Sequence, residues 1–384
     1  MVLNGDIPMS SHAKLSPSSS AKWLHCSGAL QAEIGIVDKP NSMATEGTAL
    51  HALSEMILLE QVQYASDMLG KVVETITITK SMVDEVEAYV DYCRSMFDKN
   101  SIVMVEERFK MPFIDDNTFG TSDLTILNGT HLHVIDAKFG RGLVKAEENT
   151  QLMLYALGAI YELEAIYDIE KVTLHIGQPK LNHFDSWETS KDNLLEWSKW
   201  VKERADATKE TNPVRTAGQQ QCKWCKAQDT CVALREHVES AITGAFDNIE
   251  DIEGQADKVD ITHIKNILDN AELITSFVKA IQDVALEKMQ SGTEIEGYKM
   301  IRTRKNKAWS DKDKAEKYLI RKLKMIGAYK RTLITPTQAI AALGKDHSQY
   351  LEKWFTIPEG NLKVVPLSSK GNSVTSAIDC FDKL

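Results

Sequence analysis

Apolar and polar positions change their rhythm three times along this chain. From about residue 17 to residue 97, apolar residues recur at helical spacing. Pro17, with Ser18 to Ser20 as capping residues, opens a first helix that carries Trp23, Leu24 and Cys26. A second helix follows "ATEGT" and runs from about Ala49 to Gln63, and a third covers about Ser81 to Phe97. Alternation with period two then takes over. The stretches "SIVMVEERFKM", "SDLTILN" and "HLHVIDAK" read as strands, the last two joined at Asn128-Gly129, a strong short hairpin signal. Next come a helix from about Asn149 to Leu163, a strand over "KVTLHIGQP" and a helix over "DNLLEWSKWVKERADATKE". The sum is an α/β fold: a small mixed central sheet flanked by helices.

The rhythm then fades. Residues 1–20 are rich in Ser and Pro and read as a flexible N-terminus, ahead of a main domain over 21–240. Residues 241–259 are acidic and polar and read as a linker. Residues 260–384 form a helical and mixed C-terminal region, helical from 260 to 291. With 384 residues, two or three domains are expected.

Charge changes the picture only locally. The net charge is −10, which argues against a general nucleic-acid coat. Residues 299–331 nevertheless hold 13 Lys and Arg against 3 acids, a pattern compatible with a phosphate-binding face or a solvated helix face. No run of 18 apolar residues exists, so no membrane span is expected. The N-terminus lacks the basic-then-apolar order of a secretory signal, and the expected location is cytoplasmic.

The strand "HLHVIDAKFG" raises the chemical question, because an apolar run closes on Asp136 and Lys138. With Asn128 and Gly129 as the two loop residues, Leu127 pairs with Thr130 and Asp123 lies opposite Val134. Asp123 and Asp136 are then diagonal neighbours on one face, about 7–8 Å apart at the backbone. Lys138 shares that face, while His131 and His133 point to the other. Two carboxylates that close repel unless compensated, and Mg²⁺ or Mn²⁺ supplies the compensation. A salt bridge at the hairpin end is the plainer alternative. Glu106 and Glu107 lie on the preceding strand, and one of them faces the same site.

Six cysteines are present, and Cys222, Cys225 and Cys231 form C-x₂-C-x₅-C. Three thiolates are one short of a closed tetrahedral set, and Cys26, with His25 as runner-up, is the candidate fourth. Zn²⁺ and an iron–sulfur cluster both suit four thiolates. Cys93 and Cys380 have no partners in the pattern and read as buried free thiols.

The segments "GTSDLTIL" and "VIDAKFGRG" resemble the PD-(D/E)XK nuclease superfamily, in its RecB-like exonuclease branch. The resemblance implies a restriction-endonuclease-like core, with Asp123 and Asp136 holding the metal, Lys138 assisting hydrolysis and the Ala137 carbonyl a further ligand. It implies His51, from "EGTALHALSE", as a metal ligand, with Glu55 on the same helix face. The Q-x-x-x-Y helix is present as "QLMLY", so Gln151 and Tyr155 are expected to face DNA or the site. Asp at the D-x-K position departs from the commoner Glu and is one methylene shorter. Members such as AddB and the CRISPR-associated exonucleases carry one cysteine before the core and three after it, which implies a structural [4Fe–4S] cluster on Cys26, Cys222, Cys225 and Cys231. Residues 15 to 235 as a whole resemble a family found in phages and prophages, and the resemblance stops by about residue 245.

The function implied is a metal-dependent DNA exonuclease acting in phage recombination or replication. A DNA-binding scaffold without turnover is the alternative, and a zinc-stabilised nuclease a second. DNA is the implied partner, together with a phage recombinase or single-strand-binding protein; homo-oligomer formation stays open. Trp309 and Tyr318 are candidates for base stacking, or else for core packing.

Overall fold

The computed structural model describes residues 13–36, 42–243, 261–303, 307–329, 333–344, 350–357, 362–366 and 372–374. Most of the expected acidic linker, and Cys380, lie outside these residues. The chain divides into two compact units, residues 1–277 and 278–384.

The first unit is built on a five-stranded mixed sheet. Its strands are β3 (Ile102–Lys110), β4 (Phe119–Asn128), β5 (His131–Ala137), β6 (Lys171–Gln178) and β7 (His183–Ser190), in that spatial order. The pairs are antiparallel except β5 with β6, which are parallel and joined through helix α5 (Thr150–Leu163). Central β5 is buried on both sides, which is why its sequence is a near-continuous apolar run. Leu132 and Val134 enter one core with α5, and Ile135 and Ala137 enter the other. That second core is closed by α3 (Ser42–Leu58) and α4 (Lys80–Arg94). Two short strands, β1 (Val72–Val73) and β2 (Ile76–Thr77), precede α4.

Local chemistry starts the helices where the sequence suggests. The Asn149 side chain caps α5 by accepting from the Leu152 N–H at 3.2 Å. Ser190 does the same for α6 (Lys191–Ala207), accepting from Asn193 N–H at 3.1 Å. Helix α5 is buried from Leu152 through Ile160 and lies hard against the sheet. Gly158 permits this approach, because a Cβ there would meet the Phe109 Cβ at 2.8 Å.

Three expectations need correction. The hairpin loop is Gly129-Thr130, since Asn128 still pairs with His131. Gly129 takes φ +62°, as the first central residue of a type II′ turn requires. Asn128 is held in the strand by its side chain, which donates to the Met96 carbonyl at 3.0 Å and accepts from Ser101 at 2.6 Å. The register moves by two residues, so side-chain faces are preserved while neighbours change. Second, order begins ahead of residue 21: Leu15 and Pro17 are buried, and Trp23 Nε1 donates to the Ser16 carbonyl at 3.1 Å. Third, β7 was not expected at all. Its sequence "HFDSWETS" has few apolar residues because it is an edge strand.

The second unit has its own small core, in which Tyr318, Leu319, Trp354 and Phe355 are buried. Tyr318 packs against Trp354 with ring centroids 4.8 Å apart, and Trp309 meets Phe355 edge-on. Both residues considered for base stacking are therefore core packing. A two-stranded sheet joins Tyr298–Arg302 to Leu362–Pro366, and helix Lys312–Ala328 carries much of the basic stretch.

Candidate metal centre

The ladder between β3, β4 and β5 opens at one place, and the acids stand there. Pairing runs from Ile102↔Leu127 to Val105↔Leu124, skips one pair, and resumes at Glu107↔Ser122. The skipped partners are Glu106 and Asp123. Pairing of β4 with β5 ends at Leu124↔Ile135, so Asp123 and Asp136 are the next pair in that register. Three acids from three adjacent strands thus occupy one row. Glu106 has φ +50°, a left-handed backbone that costs a non-glycine residue about 1–2 kcal/mol. Beyond it the side-chain alternation is inverted. Val105 belongs to the α3–α4 core, yet Phe109, of the same parity, belongs to the α5 core.

The break draws in the helix beyond it. His51 on α3 reaches Asp123, with Nδ1 to Oδ2 at 3.3 Å. The same Asp123 oxygen accepts from the Ala137 N–H at 2.7 Å, in place of a ladder carbonyl. His51, Glu106 and Asp123 each offer a ligand atom, and all three atoms lie within 4.8 Å of one another. A small cavity opens beside them, lined also by Glu55, Ser54 and Tyr89. Glu106, rather than Glu107, is therefore the acid that faces the site; its strand register was legible, but its left-handed backbone was not.

Asp136 and Lys138 stand next to this group. Asp136 Oδ2 is 2.7 Å from Lys138 Nζ as an ion pair, yet it accepts no hydrogen bond of good geometry although it is buried. Gln151 on α5 links the two. Its Nε2 donates to Asp136 Oδ1 at 3.0 Å, and its Oε1 accepts from Lys138 Nζ at 2.9 Å. Gln151 Nε2 also lies 3.0 Å from the Tyr155 hydroxyl, which is buried. The Q-x-x-x-Y pair thus faces the site and holds the lysine.

The electrostatics follow from burial against neighbours. Burial pushes Asp123 up, but the His51 hydrogen bond and charge and the Ala137 N–H outweigh it, so the carboxyl is lowered. Burial would lower His51, but Asp123 and Asp136 raise it. Burial raises Asp136, and the Asp123 charge adds to this against the pull of Lys138. Lys138 is raised, since Asp136 overcomes the effect of burial. Glu106 is pushed up to about 7 by burial first, then by the charges of Asp123 and Glu55. A carboxyl raised that far among other carboxylates marks a place short of positive charge. The donor set fits a hard divalent cation: two carboxylates and one imidazole close together, with a buried, under-satisfied Asp136 oxygen alongside.

The cysteines gather elsewhere in the first unit. Cys26 follows α1 (Ser20–Trp23), and Cys222 ends α7 (Gln219–Cys222). Cys222 is raised by burial and by the neighbouring charges of Cys231 and Cys26. Cys225 is raised to about 11 by burial and by Glu33. The Thr216 N–H donates to Cys26 Sγ at 3.3 Å. His25 packs against Trp200 instead. Among the described residues no three thiol sulfurs lie within 4.8 Å of one another, whereas a tetrahedral zinc site spaces them about 3.8 Å apart. Cys93 is a buried free thiol, pushed up to about 12 by burial.

Residues 12–372 match a single protein-family model, across both units. The chain belongs to the family described as "Protein of unknown function (DUF2800)". This DUF2800 chain is also similar to a solved structure described as "Crystal structure of SSO0001", over 55% of this chain and 95% of that one. The identity is 14% and the TM-score 0.24, too loose a likeness to bear on function. Among the described residues no helix is long and apolar enough to cross a membrane.

Proposed function

We propose that this protein is a metal-dependent deoxyribonuclease of the RecB-like PD-(D/E)XK kind, an exonuclease hydrolysing DNA phosphodiesters in phage recombination or replication. One observation carries the reading. Ligand atoms of His51, Glu106 and Asp123 converge from a helix and two strands, beside the buried Asp136–Lys138 pair. Mg²⁺ or Mn²⁺ is the fitting ion, and when bound it polarises a phosphate oxygen and lowers the pKa of a water.

The protein's own groups do the remainder. Asp123 is kept ionised by His51 and the Ala137 N–H. Asp136 keeps Lys138 cationic, and Gln151 fixes where the ammonium sits. An ammonium held there neutralises charge developing on the attacked phosphate and orients the water. The basic stretch 299–331 adds backbone contacts that are salt-sensitive and indifferent to sequence. DNA is the substrate, within the host cytoplasm, and a phage recombinase or single-strand-binding protein is the fitting partner.

The resemblance's order of one cysteine before the core and three after it favours a structural [4Fe–4S] cluster on Cys26, Cys222, Cys225 and Cys231. Digestion of end-labelled linear and circular DNA, with Mg²⁺ and Mn²⁺ varied and Lys138→Ala as control, tests the reading. Release of nucleotides from linear ends alone is expected. Wild-type protein that binds DNA and leaves it intact with either metal favours the scaffold alternative.

A further inference from the structure

Three histidines meet on the α3–α4 face of the sheet, and none of them lines the acid cavity. His131 and His133 project from one side of β5, and His175 lies on the parallel neighbour β6, where Ile135 is its register partner. His133 Nδ1 and His175 Nε2 are 3.1 Å apart. The ring of His131 stacks on that of His133, with centroids 3.9 Å apart, and its Nε2 bonds Thr173 Oγ1 at 2.8 Å. Tyr92 on α4 holds the far side of His175, its hydroxyl 2.8 Å from Nδ1. Three of the chain's ten histidines are gathered in one patch that the nuclease chemistry does not use.

We infer that His131, His133 and His175 form a second, separate metal site, for a borderline transition ion of the Zn²⁺ class. Two imidazole nitrogens on one tetrahedral zinc stand about 3.3 Å apart, close to the spacing of His133 and His175. A ligating histidine is oriented by a hydrogen bond from its other ring N–H, usually to a carboxylate, carbonyl or water, and the Tyr92 hydroxyl oxygen takes that place behind His175. His131 is half-exposed and bonds Thr173; its nitrogen does not converge with the other two as they stand, so to ligate it must leave Thr173 and turn toward them. Imidazole nitrogens without a carboxylate among them select Zn²⁺, Ni²⁺ or Cu²⁺ over the Mg²⁺ of the acid site.

The test is Co²⁺ and Zn²⁺ binding to the full chain in excess Mg²⁺, followed by metal content and absorption spectra. Wild-type protein is expected to hold one more equivalent than His133→Gln, and the spectrum that disappears lacks a thiolate charge-transfer band. His131→Gln leaves the Tyr92–His175 bond intact and should bind at least about tenfold more weakly. It decides the matter if His133→Gln fails to fold. Equal Co²⁺ affinity in wild type and His131→Gln, or loss of the equivalent in Cys222→Ser instead, would overturn the site. Nuclease activity is not the readout, so the outcome is independent of the function proposed above.

Discussion

The Asp123 carboxylate takes the Ala137 N–H at 2.7 Å at the point where the β4–β5 ladder ends. One side chain therefore closes a strand and faces a candidate cation. The two roles separate by substitution. Asp123→Asn retains an acceptor for Ala137 and should fold, while metal-stimulated cleavage falls on the order of 10²–10³-fold. Asp123→Ala loses the acceptor as well and should be destabilised by a further 1–3 kcal/mol or so. Circular dichroism melts beside DNA digestion distinguish the two.

Glu106 holds a costly backbone conformation within the candidate metal centre. Its φ of +50° is one that glycine adopts freely, and its carboxyl is crowded by Asp123 and Glu55. Glu106→Gly should raise the thermal midpoint by about 2–4 °C, for roughly 1 kcal/mol of relieved strain. The same change should abolish tight Mn²⁺ binding, as calorimetry would read.

Glu106 also sets a pH signature. Its folded pKa is raised to about 7. The folded state then binds the proton more tightly than the unfolded chain does. The metal-free protein gains stability from this below the unfolded carboxyl value and loses it as pH rises through about 7. A cation competes with that proton, so Mn²⁺ affinity should climb between about pH 6 and 8. Glu106→Gln should flatten both curves, and melts with and without Mn²⁺ across that range check it.

Much of this was legible in the chain, for physical reasons. The apolar run of β5 fixed its burial, and period-two alternation placed Asp136 and Lys138 together, away from His131 and His133. Helical i, i+4 spacing likewise placed Gln151 and Tyr155 on one side. What stayed hidden depended on contacts distant in sequence. Asn128 is withdrawn from the turn by Met96 and Ser101, which no local rule reveals. Glu106 is selected over Glu107 by a backbone flip opposite Asp123. Polar β7 is a strand only because β6 offers it an edge.

Gln151 is a positioning residue, and its removal should show as such. It joins Asp136, Lys138 and Tyr155 by hydrogen bonds. Gln151→Leu keeps the volume on α5 but leaves the Asp136 Oδ1 acceptor and one Lys138 proton unpaired. Turnover should fall about 10–100-fold. KM for DNA should change little, because the proposed function assigns bulk affinity to phosphate contacts elsewhere. Gln151→Glu offers Lys138 an acceptor again but sets a second carboxylate against Asp136, so its activity should fall further. Single-turnover kinetics on both variants checks the order.

The cysteines should prove structural. Cys26 and Cys222 are neighbours across a loop of nearly two hundred residues. Closing a loop of that length stabilises a fold by on the order of 5 kcal/mol in the chain-entropy picture. With the proposed cluster, Cys26→Ser should carry less iron and less absorbance at about 400 nm than wild type, and should melt well below Cys93→Ser. Cys93 lies in the α3–α4 core, away from the other thiols, so its serine variant should keep its iron. Cleavage per folded molecule should persist in Cys26→Ser, because none of Cys26, Cys222, Cys225 and Cys231 belongs to the His51–Glu106–Asp123 group. Iron analysis with calorimetric melting decides it: colourless wild-type protein carrying one zinc per chain would assign the thiols to zinc instead.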